Sequence, residues 1–104
     1  MVNPLAGEVE IVIDGMPHSC KLTLGAMAEM EAAMGADSMV DLVTRFEAGK
    51  FTSRDVMALI VAGLRGGGWS GTSADLLRAD IAGGAVGAAQ VAASLLVRAF
   101  TPPK

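Results

Sequence analysis

The clearest alternation of polar and apolar positions lies near the start of the chain. Glu8-Val9-Glu10-Ile11-Val12-Ile13 reads as a strand with one face inward. Asp14-Gly15 follows, the dipeptide that best supplies the positive backbone angles of a two-residue hairpin turn. A second strand is therefore predicted over about 16–22. Pro17 has no N–H to give a ladder, so it marks an edge or the start of that strand. A hairpin of two strands is marginal alone and must lie against other elements.

From residue 23 the apolar period changes from two to between three and four. Thr23 can cap a first helix in which Leu24, Met27, Met30 and Met34 share one side, with Gly35 ending it. Ser38 is read as the cap of a second helix. That helix turns Met39, Leu42, Val43 and Phe46 inward, pairs Asp41 with Arg45 outside, and closes at Gly49. Thr52-Ser53-Arg54-Asp55 has the form of a capping box with Asp in place of Glu. It opens a third helix through Val56, Leu59, Ile60, Gly63 and Leu64. Met57 and Val61 widen its apolar surface, so it is predicted to be central. Arg65 suits the negative end of its dipole.

Gly66-Gly67-Gly68-Trp69-Ser70-Gly71 interrupts the pattern and is read as a flexible joint. Thr72 or Ser73 then caps a short helix holding Leu76, Leu77 and Ile81. A last helix runs over about 86–100, before Pro102-Pro103. Its only polar stripe is Gln90, Ser94 and Arg98. Val91 and Leu95 lie off the face made by Val86, Ala89, Ala93, Val97 and Phe100, so most of its circumference is apolar or small. Such a helix is either deeply internal or meets another chain, and so short a protein has few elements to enclose it. The reading is α+β, mostly α: one domain over 1–104, with a hairpin at about 8–22 followed by about five helices.

Composition narrows the partners. A net charge of −3 with no Lys/Arg cluster argues against nucleic acid, whose phosphates need several cations on one face. Residues 81–97 carry no charge, but at about 1.5 Å per residue they fall short of a hydrocarbon core about 30 Å thick. No membrane is therefore expected as a partner. The start of the chain lacks the basic segment and long apolar run of a secretion signal, and the single Cys20 has no internal disulfide partner. The compartment read from this is cytoplasmic.

Candidate chemistry is thin. Gly66-x-Gly68-x-x-Gly71 has the form of a dinucleotide fingerprint, yet that motif needs a preceding strand, and here a helix precedes it. His18 and Cys20 share a strand face, but two ligands do not make a metal site. The acids Glu29, Glu31, Asp75 and Asp80 read as solvated helix faces, with Glu31 set beside the Leu24/Met27/Met34 stripe as a candidate rim charge. No cofactor is implied, and no enzyme. The methionines leave two readings open, core filling or an adaptable binding groove. Trp69 likewise either anchors a partner or packs back over the helices. The candidate partner-binding residues are Met27, Met30, Glu31, Met34, Trp69, Val91 and Leu95.

Several strings fall in a familiar order: Gly7-Glu8-Val9 with its Asp14-Gly15 turn; Leu22-Thr23-Leu24-Gly25-Ala26-Met27-Ala28-Glu29-Met30-Glu31; Phe51-Thr52-Ser53-Arg54-Asp55; and Ala62-Gly63-Leu64-Arg65-Gly66. Together, over about 7–100, they resemble the tail-assembly chaperone family of gene transfer agents and related prophages. The resemblance implies a non-enzymatic chaperone that keeps a tape-measure protein soluble and recruits tail-tube subunits, acting as a homo-oligomer and absent from the finished particle. On that reading the first and last helices bind tape-measure helices or neighbouring copies. The alternatives are a structural tail component, of the tube or associated with it, and a general helical adaptor. A tube subunit must contribute to a continuous β-rich ring, and one hairpin with five helices suits the chaperone better.

Overall fold

The computed structural model describes residues 7–35 and 37–100. Strands β1 (Val9–Ile13) and β2 (Met16–Cys20) form an antiparallel pair. Five helices follow: α1 (Leu24–Met34), α2 (Ser38–Glu47), α3 (Ser53–Gly66), α4 (Ser73–Leu77) and α5 (Gly84–Phe100). The predicted class and element order are those observed. The prolines at 102–103 lie outside the described residues.

The hairpin turns as its sequence requires, with Asp14 at φ 50° and Gly15 at φ 80°. Ile11, Ile13 and Cys20 face the interior. β2 stops at Cys20, two residues earlier than the apolar run suggests. The N–H of Lys21 is taken at 2.8 Å by the carbonyl of Gly63, so the chain leaves the sheet to bond α3.

That bond lies beside two very close backbone approaches. A Cβ on Gly66 would stand 2.0 Å from the Lys21 carbonyl oxygen, and one on Gly67 would stand 2.0 Å from that of Ser19. One turn earlier, a Cβ on Gly63 would meet Leu95 Cδ1 at 2.8 Å and Cys20 Cβ at 3.3 Å. The glycine run read as a flexible joint is thus where the end of α3 lies directly on the backbone of β2. α3 touches β2, α1, α4 and α5, and buries Leu59, Ile60, Ala62 and Leu64, the central position its two-sided apolar pattern requires.

The helix starts show which caps the chain uses. Thr23 accepts the N–H of Ala26 at 3.0 Å, and Thr52 and Thr72 form capping boxes with Asp55 and Asp75. Ser38 is not the cap of α2. Asp37 holds that position, and Ser38 sits inside the first turn, buried, with its Oγ unpartnered among the described residues. The predicted Asp41–Arg45 pair is replaced too. Arg45 donates from Nε and Nη2 to the two carboxylate oxygens of Asp55, each at 3.0 Å. Asp55 already accepts the N–H of Thr52 at 2.9 Å and is only 5% exposed, so it presents a fixed, fork-shaped acceptor that an exposed neighbour on α2 does not. This cluster ties α2 to the start of α3. Phe46 and Phe51 stack beside it with ring centroids 4.4 Å apart.

Two tests follow from this packing. Gly67→Ala is expected to lower the unfolding free energy by about 2–3 kcal/mol, because backbone meets backbone and neither side can rotate away. Gly25→Ala, whose new Cβ would meet only Thr23 Oγ1 at 3.9 Å, should be neutral or stabilising by up to about 0.5 kcal/mol; urea titration of both variants measures this. The second test concerns Asp55. Burial alone would raise its pKa, but the Thr52 N–H and the Arg45 guanidinium outweigh that and hold it below the ordinary carboxylate value. A depressed folded pKa means stability fully present above the unfolded pKa and lost as pH falls through the folded one. Asp55→Asn should therefore cost about 3 kcal/mol at neutral pH and flatten the loss of stability seen by thermal melts below about pH 4.

Candidate functional site

α5 carries two apolar faces and the fold uses one. Ala88, Ala92, Leu95 and Leu96 are buried, and Leu95 presses on Gly63 of α3. The Leu95 side chain fills the space that Gly63 leaves, which lets the two helices approach closely. The other face stays outside. At 100° per residue, Val86, Ala93, Val97 and Phe100 fall within one narrow sector. Val86 is 69% exposed, Val97 64% and Phe100 54%. An apolar stripe along a whole helix is more than scattered surface residues supply.

Between the two faces runs the polar stripe seen in the sequence, and it has a structural context. Gln90 and Ser94, with Gly87 and Val91, form one wall of an open groove of about 310 Å³ whose other wall is β1 from Val9 to Val12. Ala82 closes one end, its N–H bonded to the Val12 carbonyl at 3.0 Å. This segment between α4 and α5 is strapped to the hairpin tip. Ile81 bridges Ile13, the Asp14 N–H reaches the Asp80 carbonyl at 2.8 Å, and the Asp80 N–H returns to Asp14 Oδ1 at 2.8 Å.

The sequence-based candidates separate when placed on this framework. Met30 and Leu95 are interior, so neither side chain is at the surface of this chain. Met27 and Glu31 are half-buried, and Met34 is exposed at the end of α1. Of the stripe Leu24, Met27, Met30 and Met34, Met30 is buried beside Ala26 and Met27 packs against the core, whereas Met34 is exposed and Leu24 is 81% exposed. The helix is apolar or small nearly all round, so periodicity left its inner face undetermined, and the side bearing Ala26 is the one that docks. Trp69 is half-buried and packs on the core. Its ring lies over Gly71, where a Cβ would stand 2.1 Å from Cζ2. Val91 is half-buried in the groove. Val86, Val97 and Phe100 lie outside the candidates that residue type marks out, and the sequence shows them only as one face of α5.

The chemistry available is limited. Burial pushes the Cys20 thiol up to about 12, so it is protonated and neither nucleophile nor ligand at neutral pH. Among the described residues no group of three or more His, Cys, Asp or Glu gathers as a metal site, and no helix is long and apolar enough to cross a membrane. Gly66 and Gly67 press on strand carbonyls, which leaves no cradle for a pyrophosphate.

A family model described as "Phage tail tube protein, GTA-gp10" matches residues 6–101. No curated protein and no solved structure matches the chain significantly. The match bears out kinship with gene transfer agent and phage tail proteins, and its description names the tail tube rather than an assembly chaperone. With nearly the whole chain covered, this protein belongs to the family of phage tail tube proteins, GTA-gp10.

Proposed function

We propose that this chain is a non-enzymatic, single-domain component of a phage-type tail, incorporated in or on the tail tube, and that it works through contacts with other tail proteins and with copies of itself. The observation that carries this is the outward stripe of Val86, Val97 and Phe100 on α5, an apolar face that the described part of the chain leaves uncovered. The family's description favours the tube over its assembly machinery. Association is assigned chiefly to that stripe, with Met34 on α1 and the half-buried Met27, Glu31, Trp69 and Val91 as lesser contributors.

A second reading is kept because of the sheet. Two strands contribute little to a β-rich ring unless other chains extend them. A chaperone that holds a tape-measure protein in the host cytoplasm and then leaves is the function that such a fold also suits.

Purified tails, analysed by quantitative mass spectrometry beside assembly intermediates, distinguish the two. A tube component persists in finished tails at a copy number matching the tube subunits, whereas a chaperone is found in intermediates alone. Val97→Lys combined with Phe100→Ser should leave thermal stability within about 0.5 kcal/mol, since both positions are exposed, and should abolish incorporation; normal incorporation of that variant would remove the stripe from the contact. Leu95→Ala, by contrast, is expected to cost about 3 kcal/mol because Leu95 is core.

A further inference from the structure

The two edges of the hairpin are not equivalent. The two-residue turn pairs Ile13 with Met16, so Val9, Ile11 and Ile13 direct their main-chain groups at β2, while Glu10 and Val12 direct theirs outward. Val12 lies opposite Pro17, which has no N–H to offer. On the outer side the Val12 carbonyl is occupied by Ala82, and beyond Ala82 the chain swings away at Gly83, φ 83°. The Glu10 N–H, the Glu10 carbonyl and the Val12 N–H are left without a partner among the described residues. The far edge of β2 is obstructed by the end of α3 instead. Pro17 cannot donate, the Ser19 carbonyl abuts Gly67, and the Lys21 N–H is held by Gly63. One short register of one edge is open, and it faces the groove beside α5.

We infer that an extended segment of another protein adds to β1 as an antiparallel strand at Glu10, lying in the groove between β1 and α5 with a Lys or Arg opposite Glu10. Three main-chain hydrogen bonds are available on the edge itself. Gln90 and Ser94 line the opposite wall, where they can bond the segment's outer edge. The Glu10 side chain is exposed, and no cation pairs with it among the described residues. A carboxylate at the centre of the open register favours a basic residue across from it. A second copy of β1 fits poorly. It sets Glu10 against Glu10 or Glu8, like charges directly opposite, or else requires the Val12 carbonyl that Ala82 already holds. The segment therefore comes from a different tail protein, and its pairing would extend a two-stranded sheet in the direction that β2 cannot.

This deepens the reading of the chain as a tail component and rests on it, yet the two fail separately. Short overlapping synthetic peptides spanning the other tail proteins of the particle, and this chain itself, are titrated against the intact protein while the backbone amides of Glu10 and Val12 are followed by NMR. Peptides with alternating apolar residues around a Lys or Arg should bind and shift both amides. Glu10→Pro removes one outward N–H without breaking the β1–β2 ladder, and should weaken binding about tenfold. Glu10→Lys, which keeps every main-chain group, should move the preference to acidic peptides. The inference is overturned if no peptide shifts those amides, if both variants bind as wild type does, or if this chain's own peptides bind best. Incorporation into tails with no such pairing would sink the edge and spare the tail role; pairing without incorporation would do the reverse.

Discussion

The structure depends on how closely the end of α3 approaches β2. Gly66 and Gly67 have no side chain where the carbonyls of Lys21 and Ser19 stand, and Gly63 leaves room for Leu95 and Cys20. A two-stranded hairpin has too little surface to hold itself together. Packed on α3 through β2 and on α5 through β1, it buries Ile11, Ile13 and Cys20 in one core with Leu59, Ile60, Leu64 and Leu95. With side chains at those three glycines the hairpin would be held off the helix, and the principal layer contact of the molecule would open.

The same contact decides what the surface offers. By covering the outer edge of β2 near Ser19 and Lys21 it leaves β1 as the more open edge among the described residues, and by taking the Leu95 face of α5 it turns Val86, Val97 and Phe100 outward. Gln90 and Ser94 lie between that stripe and the β1 groove, so α5 borders both proposed contact surfaces, its own apolar stripe and the open edge of β1. Among the described residues the one thiol is buried and protonated, and Asp55, its pKa lowered, is held by Thr52 and Arg45 at a helix start, where it joins α2 to α3.

Much of the fold was legible in the sequence because local chemistry dictated it. Asp14-Gly15, Thr23, Thr52 with Asp55, and Thr72 with Asp75 each form the turn or cap that their residue types specify. Tertiary choices were less visible. α1 and α5 are apolar nearly all round, so spacing alone did not say that Ala26 and Leu95 would face inward and Leu24 and Val97 outward. Arg45 had a carboxylate four residues before it and another ten after it, and the second won because its geometry was already fixed by the capping box. The glycines read as a joint proved to be a contact, which becomes visible only when the strand they touch is in place. The tail family was legible from the order of several short strings, whereas tube and chaperone differ in how partners are used, which those strings do not encode.

The most direct measurement is hydrogen–deuterium exchange of the chain alone and within assembled tails. New protection confined to β1 around Glu10–Val12 and to α5, with the amides of α3 exchanging as before, is the result the account requires. Protection centred on α2 or α4, or none at all in a particle that contains the protein, would contradict it.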